Sequence, residues 1–532
     1  MAYHENLYLL VFLPLFLIVY QIFPKKIRPY ILLLGSCLFF LVNSKWIIVP
    51  VFLTLLIWFC GMRIEKIRLD TEEKLPQLDK AGKKQLKAET EKRTHRILVI
   101  GNLIILGILF YVQYLHFTVD NINAVFSMAG IDLALKVGKS FFPIGISFYS
   151  LEAMGYLIDV YWNKVQADHN PFRLGLFILF FPQVMEGPIA SYKDTASQLW
   201  SGEGLKVDNL SAGLFRILLG LFKKMMVADR LARVVGCVYD NYTNMYGIMV
   251  ILGAVAYTIQ LYMEFSGSID VVIGSAEMLG IKLPENFRQP FMAQNAADFW
   301  RRWHISLGTW FRTYLFYAVS MSKTVKSINK KLRKSRGKYA AMVGTSAMAL
   351  LPVWLATGLW HGPSWTYIFY GFYYFCILLA ETAIQPYMEK LEDRLHVTAK
   401  TPWYAGLNIV RTWVVIFTGE LFFRAKTMHQ ALVLFKHIFT GSFFPARGVW
   451  NILTDQKAVL LEKPDYLAIV GGIIVIAVID ICRERDMKLK EKILQGPLVL
   501  RWSVFYLLIA VLLVFGAYGS GFQAVELIYA GF

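Results

Sequence analysis

The segment that most restricts this chain is Ile97–Val119, which carries no Lys, Arg, Asp or Glu. It is long enough to span a bilayer, which takes ~20 apolar residues as a helix. Similar runs recur along the chain: Leu7–Phe23 (interrupted by Pro14), Ile31–Val42, Trp46–Met62, Met342–Leu359, Thr366–Ala380, Tyr404–Phe423, Tyr466–Ile481 and Val504–Ala517. Open sheets are excluded in lipid because their edges leave backbone groups unpaired. A barrel would need alternating rather than continuous apolar segments. The expected fold class is therefore an all-α polytopic membrane protein with about 11–13 membrane-inserted helices, some of them re-entrant. Composition agrees: 56% of residues are hydrophobic, and only 17% are charged, against ~25% in soluble chains. The whole of 1–532 reads as one integral membrane domain. Its parts are N-terminal spans over 1–140, a core over 141–386 and C-terminal spans over 387–532.

The net charge of +18 could suggest nucleic acid, but the bases bunch between apolar runs. Arg63–Arg96 holds eleven Lys/Arg, Lys323–Lys338 eight and Arg483–Lys492 five. That is the positive-inside pattern, and anionic inner-leaflet lipid accounts for it without nucleic acid. With the N-terminus outside, the basic segments fall on the cytoplasmic side of the membrane. Arg63–Arg96 reads as a helical hairpin there. The five cysteines show no metal-ligand spacing, and no metal site is expected. Leu7–Phe23 has no basic start or small-residue cleavage site and reads as the first span rather than a signal peptide.

Between Phe141 and Tyr317 the apolar runs carry charges: Glu152, Asp159, Arg173, Glu186, Arg216, Glu264 and Asp270. Such groups fit helices facing a protein interior or a water-filled cavity. Glu186 lies between Pro182 and Pro188, as a helix-end carboxylate or a cavity-lining group. Glu264 and Asp270 frame Ser266-Gly-Ser268, read as a turn. Lys223, Lys224, Asp229 and Arg230 read as an ion-pair cluster at the membrane boundary.

Two histidines stand out. Phe299–Tyr317 has the period of one amphipathic helix: Trp300, Trp303, Leu307, Trp310, Phe311 and Tyr314 form an aromatic stripe. Arg302, Ser306, Thr309 and Thr313 form a polar stripe, and His304 borders the aromatic face. An interfacial helix with aromatics at headgroup depth would have the same pattern. His361 sits in Gly358-Leu-Trp-His-Gly-Pro-Ser-Trp365, where the glycines and proline break the helix at the outer turn between two spans. It reads either as a histidine satisfied by a neighbouring carbonyl or as a general base. A neutral imidazole near pH 7 can take a proton from a hydroxyl and return it to a leaving thiol.

Specific wording goes further. Pro143-Ile-Gly-Ile-Ser-Phe-Tyr149, Phe180-Phe-Pro-Gln-Val-Met-Glu-Gly-Pro188, Gly220-Leu-Phe-Lys-Lys224 with Ala228-Asp-Arg-Leu-Ala232, Tyr257-Thr-Ile-Gln-Leu-Tyr262, Asp298-Phe-Trp-Arg-Arg-Trp-His-Ile-Ser-Leu307 and Thr357-Gly-Leu-Trp-His-Gly362 follow one another in order. They resemble the membrane-bound O-acyltransferase superfamily, most nearly its bacterial alginate and polysaccharide O-acetyltransferase branch. Leu421-Phe-Phe-Arg-Ala-Lys426 extends the likeness. The resemblance implies a funnel-shaped helical fold with a through-membrane tunnel. It also implies an essential His361, a second active-site histidine at His304, and tunnel walls that include Trp300, Arg302, Trp303, Trp360 and Glu186. It implies no bound cofactor. The acyl donor, acetyl-CoA or a carrier-bound thioester, would come from the cytoplasm. The acceptor would be an extracellular or cell-wall polysaccharide, with an extracytoplasmic protein as partner to complete transfer. Two positions depart from the branch: Thr313 stands where Asp is usual, and Pro363 where Ala is commoner. The rival readings are teichoic-acid D-alanylation from an acyl-carrier protein and, outside enzymes, a flippase for a lipid-linked sugar. A transporter of that kind would show paired halves with matching broken helices, and the sequence shows none.

Overall fold

A computed structural model describes residues 1–138, 141–440, 442–446, 448–455, 459 and 461–518. Among these residues the regular structure is helical, with no strand. Eight helices are long and apolar enough to cross a membrane: Ile48–Gln77, Lys80–Met128, Gly247–Met278, Lys323–Trp360, Trp365–Leu395, Pro402–Arg424, Lys463–Glu484 and Leu498–Phe515. Leu7–Ile22 and Arg28–Asn43 are shorter apolar helices. Exposed Leu507, Leu513 and Val514 on the last long helix are the outward apolar face expected of a chain solvated by lipid. The protein is a multi-pass membrane protein.

The chain divides into two compact units. Among the described residues, the first comprises Met1–Gly213 and Val272–Pro284; the second comprises Leu214–Val271 and those from Glu285 to Tyr518. In the first, the basic hairpin is an extension of two spans. Helices Ile48–Lys74 and Lys80–Leu109 run straight into it, and the turn is closed by the Asp79 carboxylate accepting from the Gly82 N–H at 2.8 Å. Thr71 and Thr90 hydroxyls meet across it at 2.6 Å. Pro143–Tyr149 packs on the loop Phe180–Pro188. Gly145 there has φ +72°, and a Cβ on it would fall 1.9 Å from the Val184 carbonyl oxygen, so glycine is required on both counts. Buried Glu152 holds the same loop by accepting from Gln183 Nε2 at 3.0 Å and the Ala190 N–H at 3.1 Å.

In the second unit the Ser266-Gly-Ser268 stretch is not a turn. Gly247–Met278 is a continuous helix. Its small residues serve a close helix crossing: a Cβ on Gly267 would lie 2.7 Å from the Gly220 carbonyl oxygen, and one on Gly220 2.4 Å from that of Gly267. Lys323–Lys338 is likewise helical apart from a break at Gly337, φ +87°.

Candidate active site

His361 caps the Lys323–Trp360 helix, at the turn where the sequence places it. Its N–H bonds back to the Gly358 carbonyl at 3.2 Å, Gly362 adopts φ +130°, and the Ser364 hydroxyl caps the next helix, Trp365–Leu395. The two helices meet at backbone distance. A Cβ on Gly358 would lie 2.3 Å from the Tyr367 carbonyl oxygen, and one on Gly371 2.2 Å from that of Trp354. This contact sets where the turn, and with it His361, sits. The imidazole is 4% exposed and enclosed by rings: Trp360 at 5.1 Å, Phe423 at 4.9 Å, Tyr370 at 6.0 Å and Tyr367 at 6.2 Å between centroids.

His304 does not border one long helix. The expected helix over Phe299–Tyr317 is broken into Ala296–Arg302 and Ile305–Phe311, and His304 is the joint, with φ +44° and ψ +52°. A side chain with a Cβ adopts this left-handed geometry at a cost of about 1–2 kcal/mol. The surroundings enforce it. Asn286 is the peg: its carbonyl accepts from the Ile305 N–H at 3.0 Å. Its side-chain oxygen accepts from the Ser306 N–H at 3.1 Å and the Ser306 hydroxyl at 2.9 Å, and faces His304 Nδ1 at 3.3 Å. At the other end, the Glu381 carboxylate accepts from the Ala296 and Ala297 N–H groups at 2.8 and 3.1 Å, favourably placed at a helix N-terminus. Strain held by neighbours in this way is a feature of functional sites.

The break brings both histidines against one ring. Trp360 lies 5.4 Å from His304 and 5.1 Å from His361, and Phe265 meets His304 at 4.9 Å. Burial, and then the nearby His361, hold the His304 imidazole well below its usual pKa range. A neutral imidazole can accept a proton from a hydroxyl, which is the chemistry either histidine could supply.

The other sequence candidates divide. Trp360 joins the histidines, as described. Trp300 lies on the same side, against Trp354 at 4.9 Å and Tyr374 at 4.7 Å. Trp303 is core: it stacks on Phe299 at 5.4 Å and abuts Phe287 at 5.1 Å. Arg302 is an anchor, paired with Asp298 at 3.1 Å and with Glu484 at 2.7 and 3.0 Å. Glu186 belongs to the first unit, buried in the Phe180–Pro188 loop beside Met185, whose N–H bonds the Tyr3 hydroxyl at 3.3 Å. The Lys224–Asp229 pair forms at 2.8 Å, and Arg230 pairs with Asp465 at 2.9 Å. Asn286 and Glu420 were not singled out by sequence. Asn286 lies in an ordinary loop, and Glu420 is one more acid in an apolar run.

A second polar feature is a cleft lined by Arg216, Lys223, Asp270, Glu285, Asp480 and Arg483 among others. Asp270 receives Lys223 at 2.7 Å and Arg216 at 3.0 Å, Arg216 also grips Glu285, and Tyr262 donates to Asp480 at 2.8 Å. Phe287 joins the cleft wall to Phe265, the ring against His304.

The fold is that of a helical membrane protein in which two buried histidines touch one tryptophan, one histidine at a broken helix and one at an interhelical turn. Residues 166–423 match the model of the membrane-bound O-acyltransferase family. The chain is 31% identical over 464 residues to a probable alginate O-acetylase of Azotobacter vinelandii, covering 86% of this chain and 81% of that one. It is 30% identical to a probable alginate O-acetylase of Pseudomonas syringae pv. tomato, covering 86% and 78%. A peptidoglycan O-acetyltransferase of Helicobacter pylori is 29% identical, covering 64% of each. The chain belongs to the membrane-bound O-acyltransferase family and is an O-acyltransferase.

Proposed function

We propose that the chain acetylates hydroxyls of an extracytoplasmic polysaccharide, directly or through a partner protein that completes transfer. The donor is a thioester, acetyl-CoA or carrier-bound, arriving from the cytoplasmic side of a bacterial inner membrane, with the N-terminus outside. The relatives named for alginate and peptidoglycan O-acetylation support a polysaccharide acceptor. The cleft beside Arg483 supports donor entry there: Arg483 opens the basic segment that the charge rule assigns to the cytoplasm. The observation that carries the mechanism is His361 itself, a buried imidazole at a turn held by two glycine contacts.

His361 takes the proton of the acceptor hydroxyl as that oxygen attacks the thioester carbonyl carbon. The C–O bond forms, the C–S bond breaks, and the imidazolium returns the proton to the thiolate. The products are ester and thiol, and no acyl-enzyme is needed when both reactants are held in line. His304, aimed by Asn286, orients the reactants.

The test is alkaline release of acetate from envelope and secreted polymers of cells making His361→Ala. Ester should fall by about 100-fold or more, the usual worth of a positioned base, with membrane-inserted protein unchanged. Wild-type ester content in that variant would overturn the base assignment.

A further inference from the structure

The Pro402–Arg424 helix buries a carboxyl that the mechanism above does not use. Glu420 is 1% exposed. Its Oε1 accepts from the Tyr370 hydroxyl at 2.8 Å, and among the described residues its Oε2 has no hydrogen-bond donor. A buried acid held by a single hydrogen bond is expensive, and an apolar residue of the same size would pack there at lower cost. Packing alone therefore does not account for it. Tyr370 and Phe423 form a corner around His361. Tyr370 meets the imidazole at 6.0 Å and 87°, Phe423 at 4.9 Å and 89°, and the two rings touch each other at 4.8 Å. They come from different helices, Trp365–Leu395 and Pro402–Arg424. Phe423 follows Glu420 by three residues, on the same helix face. The Tyr370–Glu420 bond thus ties one wall of the corner to the helix that carries the other. The backbone is pressed close at this level, where a Cβ on Gly419 would lie 2.4 Å from the Tyr374 hydroxyl.

We propose that Glu420 is a positioning residue for His361, acting through Tyr370 to fix the angle of the two rings that aim the imidazole. This rests on His361 being the base. The test compares Glu420→Leu, Glu420→Gln, Tyr370→Phe and the Glu420→Leu/Tyr370→Phe double variant, each full-length in its membrane. Polymer-bound acetate per inserted copy and the unfolding temperature in detergent are read together. Glu420→Leu and Tyr370→Phe should each lose about 10- to 100-fold in turnover, as for a small misplacement of a reacting group. The double variant, which removes the whole buried polar pair, should hold or raise the unfolding temperature, whereas Tyr370→Phe alone strips the buried carboxyl of its donor and should lower it. Glu420→Gln keeps an acceptor for the tyrosine and should recover most of the activity. The double variant should be no worse than the weaker single variant, because the pair acts as one unit. Wild-type turnover in both Glu420→Leu and Tyr370→Phe would overturn the proposal, and so would a Glu420→Gln as inactive as Glu420→Leu. If Glu420→Leu fails to insert, Tyr370→Phe decides, since it removes one oxygen. His361→Ala in parallel separates the failures. Full activity there sinks the base assignment, whereas loss there with active Glu420→Leu and Tyr370→Phe sinks only the positioning role.

Discussion

The second unit contains two buried polar regions built on opposite rules. Around Asp270 charge answers charge: Lys223 and Arg216 close on one carboxylate, and Arg216 grips Glu285 as well. Around His361 the neighbours described are rings, and the Glu420 carboxyl is linked to one of them, Tyr370. The ionic region resists loss of any member, because each one removed leaves an uncompensated charge. The region around His361 is walled instead by aromatic rings.

That contrast predicts separable phenotypes. His361→Gln, which keeps a polar side chain of similar size in this buried site, should cost about 100-fold or more in transfer with a smaller loss of stability than Asp270→Asn. Asp270→Asn should act first on stability: a loss of about 3–5 kcal/mol, seen as a lower unfolding temperature. An Asp270→Asn protein of normal stability would show that the ion pairs are not what holds this region. Gly371→Ala stands between the two. It pushes a methyl towards the Trp354 carbonyl and should cost about 1–3 kcal/mol as an overpacked site, while also lowering turnover by moving the His361 turn. Activity and stability measured on the same preparation distinguish these outcomes.

The smallest effect concerns His304. Its pKa is depressed in the folded protein, so on acidification below the ordinary value of 6.5 the unfolded chain takes up the proton first. Stability from this group is therefore present above pH 6.5 and declines as pH falls below it. His304→Asn should flatten part of that decline, which unfolding temperatures at pH 7.5 and 5.5 would show. An unchanged slope would mean His304 is not buried as a neutral base.

Much of the membrane architecture could be read in the chain. Long uncharged runs can only be helices where no water satisfies the backbone, and the basic segments between them mark turns and ends. His361 was also legible, because Gly, His, Gly and Pro in an aromatic run force a turn with a polar group in it. Local signals failed at His304 and at Ser266-Gly-Ser268. Periodicity made Phe299–Tyr317 one helix, but Asn286, distant in sequence, offers bonds that only a left-handed residue at position 304 allows. The Ser-Gly-Ser stretch looked like a turn, but its small residues serve a helix crossing that does not exist until Gly220 is brought against it.

The sequence by itself determined that this protein is helical and membrane-bound, and that a histidine sits at an interhelical turn. Each of these follows from the composition of a short stretch and the solvent around it. Tertiary structure alone decided which side chains meet. Trp360 touches both His304 and His361, Trp303 goes to the core and Arg302 to an ion pair, and Glu420 is placed one tyrosine away from the imidazole. Those outcomes depend on contacts between residues far apart in the chain, and no local pattern encodes them.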